Sequence, residues 1–399
     1  MSTISDAFRK DRYVYPVVEL DFEGWKKYYS TATLHIPNAD GDTIHCQNKL
    51  LTKGMTVGQN FDFSSFRYST NDVSLSIIND DRFQDNEVHR NLDRGTGRIW
   101  LWSESLDFTD IEEKPILRGK FRKDKHTNAE YSFSLADFAQ VATKEISGAT
   151  YTGTPSFNLE RVLKRYTTVM NDEIDYGSLE NMDQLLSGAS CFTLVNDTSD
   201  GFSIIDRIGS QFLCPRIMRD GKVGVVAFNL NRRPKRLIGQ SEYLYQRPVL
   251  GATDYNLVCN NLEVSFGRVT GSTGWKGTLT YDKDNNSKCK NSYYFYEEME
   301  QKQLSLADSA TTSTATIAAM RYLDWFALRH DTVSVVVPHH IGFDLVEGDV
   351  AELEVEDAPS VSGDGWANEP CMLVQRKFRT AGVEQLWWRI ATGRSSYEA

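Results

Sequence analysis

What this 399-residue chain lacks narrows its function first. No run approaches the roughly eighteen consecutive apolar residues of a membrane-crossing helix. The opening Met1-Ser2-Thr3-Ile4-Ser5-Asp6-Ala7-Phe8 has no apolar core of a secretory signal. The six cysteines (Cys46, Cys191, Cys214, Cys259, Cys289 and Cys371) form no Cys-x-x-Cys pair, and their scatter matches no disulfide framework or zinc site. Reduced thiols and maturation in a cytoplasm are expected. Gly267–Gly274 is glycine-rich but lacks the Lys-Ser/Thr of a phosphate loop, so it reads as a turn. Neither Gly-x-Ser-x-Gly nor His-Glu-x-x-His occurs, and the many carboxylates single out no acid–base pair. No catalytic residue, metal or cofactor is therefore expected. Bases are outnumbered too, with 44 Lys and Arg against 55 Asp and Glu, a formal charge of −11. Affinity for phosphate comes from cations that displace counterions, so a general nucleic-acid binder is disfavoured.

What is present is ordinary globular protein: 40% hydrophobic and 25% charged residues, with length for two to three domains. An aromatic content of 12% leans toward β structure, where rings fit a pleated, half-buried surface. The first 145 residues read almost wholly as strands. Tyr13–Phe22 and Tyr28–Ile36 flank Gly24 as a hairpin, and Val73, Leu75 and Ile77 alternate with polar neighbours at the strand period of two. Gly97–Trp102, Pro115–Arg122 and the alternation of Tyr131, Phe133 and Leu135 continue the pattern, which suggests a barrel or sandwich.

From about Ala149 the texture changes. Ser156 can cap a helix carrying Leu159, Val162, Leu163 and Tyr166 on one face. Further helices are expected at Leu179–Leu186 and around Phe202, Ile205, Ile208 and Phe212. The pair Asp220-Gly221 then turns a hairpin, because both residues tolerate positive φ. The basic loop Arg232-Arg233-Pro234-Lys235-Arg236 closes this α+β part near Leu250. Strands are expected at Leu257–Phe266, Thr278–Tyr281 and Tyr293–Tyr296, followed by a polar stretch, Leu304–Ser313. A helix follows over Ala315–Leu328 with Ile317, Met320, Tyr322, Leu323 and Phe326 on its apolar face. Thr332–Val337, a turn at Gly348-Asp349, the strand Ala351–Glu356 and a hairpin of Cys371–Arg379 with Glu384–Ala391 complete a closing barrel segment.

Glu352, Glu354 and Glu356 alternate with Ala351, Leu353 and Val355, putting three carboxylates on one strand face, with Asp349 just before them. Arg118, Lys120 and Arg122 form the basic counterpart, continued by Lys123 and Lys125. Solvated faces are the plainer reading of both, and lysines on an edge also block unwanted pairing. Asp282, Asp284 and Asn286 begin like a calcium loop, but Ser287 and Tyr293 stand where glycine and a bidentate glutamate are needed. His339-His340 after Pro338 reads as a surface turn.

The order of parts resembles the phage tail hub family, the baseplate hub of contractile tails and the N-terminal hub portion of siphophage tail tip proteins. Val73-Ser74-Leu75-Ser76-Ile77-Ile78-Asn79-Asp80, the helix before the Asp220-Gly221 hairpin, and Asp254-Tyr255-Asn256-Leu257-Val258 with the late helix and Glu347-Gly348-Asp349-Val350 carry it. The resemblance implies an α+β, mainly β fold. Residues 1–145 would be a first tail-tube-like β-barrel domain, 146–250 an α+β insertion, and 251–399 strands, a helix and a second barrel. It further implies a non-enzymatic homotrimer at the tail tip or baseplate of a virion, assembled in the host cytoplasm. Implied partners are a distal tail ring or tail tube protein, a tip or central spike protein and a tape-measure end. A peptidoglycan-cutting domain would sit on another chain. In that setting the acidic strand would face a lumen through which DNA passes without sticking, and the basic strand would dock a partner ring. A carbohydrate-binding or glycan-cleaving β-rich protein, or a hexameric distal ring, are the rival expectations.

Overall fold

The computed structural model describes residues 3–389 apart from 23, 39, 52–54, 70–71, 80–94, 138–147, 196–199, 244–246, 269–273 and 359–364. Asp80, most of Gly267–Gly274, the end of the last hairpin and the boundary drawn at 145 lie outside the described residues, as do the side chains of Lys123 and Lys125.

Two large sheets frame the molecule. The nine-stranded sheet runs Leu34–Pro37, Thr43–Asn48, Trp25–Ser30, Tyr15–Phe22, Thr96–Trp102, Leu117–His126, Glu130–Asp137, Val73–Ile78, Leu50–Leu51. Its local logic is the expected one. Gly24, at φ +89°, turns Tyr15–Phe22 back onto Trp25–Ser30, and Val73, Leu75 and Ile77 are buried while Ser74 and Ile78 are exposed. The seven-stranded sheet runs Leu237–Ile238, Val350–Val355, Trp366–Arg379, Gly382–Arg389, Asp331–Val337, Val249–Ala252, and Thr56–Val57 pairs separately with Trp366–Arg379. A strand from the first 60 residues thus completes a sheet built from the last 170.

One continuous core joins the two sheets: Val18, Leu20, Phe22, Trp100, Phe121 and Phe133 meet Val333, Leu353, Leu373 and Trp387. A second core lies on the other side of the seven-stranded sheet. There Val350, Met372, Val374 and Trp388 pack with the helices Pro155–Tyr166, Gly201–Gln211 and Thr312–Phe326 and with a three-stranded sheet. Trp387 and Trp388 fall in different cores because consecutive strand residues point to opposite faces. The seven-stranded sheet is therefore a middle layer, which explains the unbroken burial of Cys371 to Arg376. Each large apolar side chain so buried contributes about 1.5–3 kcal/mol.

The chain is mainly β with helices, as expected, but closed barrels are not met. Among the described residues the strand order of each large sheet is an open path. The ends are too small to zip together: Leu50–Leu51 and Leu237–Ile238 hold two residues each, and Leu34–Pro37 finishes on a proline that has no N–H.

Several local expectations are corrected. Tyr293–Tyr296 ends a helix, Ser287–Tyr296, because the Asn286 side chain accepts from the Lys288 and Cys289 N–H groups and starts it. The cap of Pro155–Tyr166 is Thr154, whose hydroxyl accepts from the Phe157 N–H, while Ser156 is a buried helical residue. Thr312–Phe326 packs through Ala315, Ala318, Ala319, Leu323, Trp325 and Phe326, leaving Ile317, Met320 and Tyr322 only partly buried. The polar stretch begins with a strand, Gln301–Leu306, parallel to Asn261–Arg268. His339-His340 opens a short helix, His339–Asp344, and His339 is buried with its Nε2 donating to the Arg379 carbonyl at 3.0 Å.

Candidate functional site

The acidic strand is built as its alternation predicts. Across Val350–Val355, Ala351, Leu353 and Val355 are buried, and Glu352 and Glu354 are half-buried on the opposite face. Glu356 is exposed in the turn that follows. Beside them, Gln240, Tyr243, Arg247, Pro248, Val355, Glu356 and Asp357 line an open groove of about 470 Å³. The Tyr243 hydroxyl donates to the Glu354 carbonyl at 2.9 Å, and burial pushes its pKa up, so it stays a neutral donor. Gly239 lets the backbone pass close by: a Cβ there would stand 3.0 Å from Glu354 Oε2.

Asp349 does not join that face. It is 1% exposed, with Arg232 at 3.2 Å and Lys235 at 2.7 Å, and it accepts from the Val346 N–H at 2.9 Å. The basic loop 232–236 thus pairs with the protein's own carboxylates through Arg232 and Lys235, and its Arg236 pairs with Glu242 at 2.7 Å.

The basic strand divides likewise. Arg118 lies directly opposite Arg98, yet Glu173 from the α+β part reaches Arg118 at 2.7 Å. Arg98 in turn approaches Glu19 at 3.9 Å, a nearly buried carboxylate that also accepts from the Tyr28 hydroxyl at 2.7 Å. The two like charges are each met by an opposite one, which removes their repulsion. Lys120 is half-buried, and Arg122 is exposed with Asp72 at 3.7 Å. Arg122 and Lys120 are the residues of this face offered outward.

A polar knot at the junction of the parts was missed. Arg376 and Glu347, 6% and 7% exposed, pair at 3.3 Å, and Arg376 also donates to the Leu345 carbonyl at 3.1 Å. Asp220, at the tip of the Arg216–Arg219/Lys222–Val225 hairpin, stands 3.9 Å from Arg376, and Arg219 pairs with Asp175 at 2.7 Å. Gly221 at that tip approaches so closely that a Cβ would lie 2.8 Å from Pro115. The hairpin therefore ties both sheets to the insertion. Arg376, the first cation after the apolar run Cys371–Val374, was the available signal.

The remaining motifs resolve into local structure. Asp282 accepts from the Asp284 and Asn285 N–H groups as a turn, and among the described residues no three His, Cys, Asp or Glu side chains gather as a metal cage. All six cysteines are buried free thiols, with burial pushing Cys46 and Cys259 up to about 12. Among the described residues no helix is long and apolar enough to cross a membrane.

No protein-family model and no curated protein matches the chain. Among solved structures, the tail protein from Neisseria meningitidis MC58 superposes with a TM-score of 0.50 at 11% identity, covering 94% of this chain and 96% of that one. The prophage tail protein gp18 from Listeria monocytogenes EGD-e gives 0.48 at 8% identity, covering 92% and 97%. The 43 kDa tail protein of prophage MuSo2 from Shewanella oneidensis gives 0.47 at 7%, covering 94% and 98%. At such identity the likeness is one of fold, and the chain therefore has the fold of a tail protein, as the order of its sequence motifs led one to expect.

Proposed function

We propose that this chain is a structural virion protein, a homotrimeric hub that adapts a hexameric tail tube to a three-fold tip and lines the channel through which DNA leaves. The observation that carries the reading is the end-to-end likeness of fold to the Neisseria tail protein, over 94% of this chain. Two large sheets packed on one core support it, because each can supply one tube-like module, so that three copies present six. Residues 1–145 and 251–399 hold most of those strands, with 146–250 as the insertion. The role is architectural, without catalysis.

A closed ring needs a heterologous contact repeated around its axis. A surface suited to it is the edge strand Val249–Ala252, which pairs only with Asp331–Val337 among the described residues. All four of its residues are exposed, Val249 at 65%. An uncharged, apolar edge of this kind is a template for strand addition from a neighbour. Glu352, Glu354 and Glu356 would form the acidic lumen wall, and Lys120 and Arg122 the docking face for a distal tail ring or tube protein. A tip or central spike and a tape-measure end are the further partners.

Native mass measurement of the purified chain tests the assembly: three copies support the hub, six the distal ring. A glycan-binding alternative draws on one feature, the exposed Tyr294 and Phe295 of the helix Ser287–Tyr296, at 65% and 49%. Binding of host polysaccharide that Tyr294→Ala abolishes would favour that alternative.

A further inference from the structure

The hairpin Leu34–Pro37/Thr43–Asn48 carries two histidines in direct opposition. The Asn38 N–H donates to the Asp42 carbonyl, so positions 38 and 42 are a hydrogen-bonded pair. Alternation then makes His35 and His45 a non-hydrogen-bonded pair, the class in which facing side chains stand closest. Their rings meet edge to face at 81°, centroids 4.9 Å apart, with Nδ1 to Nδ1 at only 2.7 Å. Both side chains are exposed. The backbone beneath them is held, since Leu34, Ile36 and Cys46 are buried, Thr43–Cys46 pairs with Leu34–Pro37, and the following Gln47 and Asn48 pair with Tyr29 and Ser30.

Two neutral imidazole nitrogens at that distance cannot aim lone pairs at each other. Either a proton or a cation must lie between them. With metal–nitrogen bonds of about 2.0 Å, cis positions at a right angle put the two nitrogens about 2.8–2.9 Å apart, whereas tetrahedral positions need about 3.3 Å. The observed 2.7 Å is close to the right-angle case. We propose that His35 and His45 form a bidentate chelate for a divalent transition-metal ion of tetragonal preference, Cu(II) or Ni(II), with water completing the coordination. Imidazole suits these ions, and Cu(II) stands at the top of the divalent affinity order.

The test is a calorimetric titration of the full chain with Cu(II), paired with electron paramagnetic resonance of the bound ion. One tight equivalent per chain with a nitrogen-coordinated spectrum is expected. His35→Gln and His45→Gln should each weaken it at least about tenfold, the lower end of what losing even a supporting group costs. His340→Gln, on another element, should leave it unchanged. Both substituted side chains face solvent, so unaltered circular dichroism will show that the fold survives. Binding that the double variant His35→Gln/His45→Gln retains in full, or wild-type binding no tighter than that variant's, overturns the assignment and leaves only a shared proton between the rings.

Discussion

Asp349 sits in an acidic run of sequence but acts as an internal anchor, a carboxylate 1% exposed between Arg232 and Lys235. Both cations are partly solvated, so screening limits the ion pairs, and the lost Val346 hydrogen bond adds to the cost. Asp349→Ala should therefore lower stability by about 1–3 kcal/mol in a urea melt. Arg376 is more demanding because its partner Glu347 is also buried. Arg376→Ala leaves an uncompensated carboxylate and should cost about 3–5 kcal/mol. Replacing both, as Arg376→Met/Glu347→Leu, should cost less than the single change, since no buried charge remains. His339 supplies a pH signature. Burial lowers its pKa in the fold, so between the ordinary and the lowered value the unfolded chain binds the extra proton. Its contribution is present above pH ~6.5 and is lost as pH falls toward the depressed value. Wild type should thus lose stability between pH 7 and 5 more steeply than His339→Gln, measured by urea melts across that range.

Elements were legible wherever one face alone is buried. Val73–Ile78 and Val350–Val355 show the alternation their sequences carry, whereas in Glu130–Asp137 Ser134 and Ala136 are buried beside Phe133 and Leu135. The Asp220-Gly221 turn was legible from its chemistry, and both residues have positive φ, 51° and 71°. Reading failed where tertiary partners or single caps decide. Tyr293–Tyr296 has the aromatic composition of a strand, yet one side chain, Asn286, starts a helix through it. Asn286→Ala should cost about 1 kcal/mol and loosen this helix, detectable as faster amide exchange across 287–296. The late helix was placed correctly and Leu323 and Phe326 of its expected face are buried, but Ala315, Ala318 and Ala319 pack against the second core where Ile317, Met320 and Tyr322 were expected. A helix period does not reveal whether the large or the small residues face a close neighbour. At the candidate site, the acidic alternation was readable, whereas the burial of Asp349 and Arg118's bond to Glu173 depend on contacts across 55 to 117 positions in the chain.

For the whole molecule, the layering matters most. The seven-stranded sheet is shared between two cores and is completed by Thr56–Val57 from the beginning of the chain, so the two halves are expected to unfold together. Such a pair of sheets on one core is a suitable unit for a ring, with the apolar edge Val249–Ala252 at its rim. Leu250→Lys places a charge on that edge without disturbing a buried side chain, since Leu250 is 36% exposed. The variant should stay folded but sediment as a monomer, and sedimentation identical to wild type would remove this edge from the interface. Glu352→Lys/Glu354→Lys/Glu356→Lys should let particles adsorb normally but slow genome release, because a basic wall gains affinity for passing DNA. The most direct measurement is an electron cryomicroscopy reconstruction of the assembled particle's tail end. The hub account predicts three copies of this chain around the axis, their six large sheets alternating coaxially with the tube; six copies in a ring, or a chain that never joins one, would contradict it.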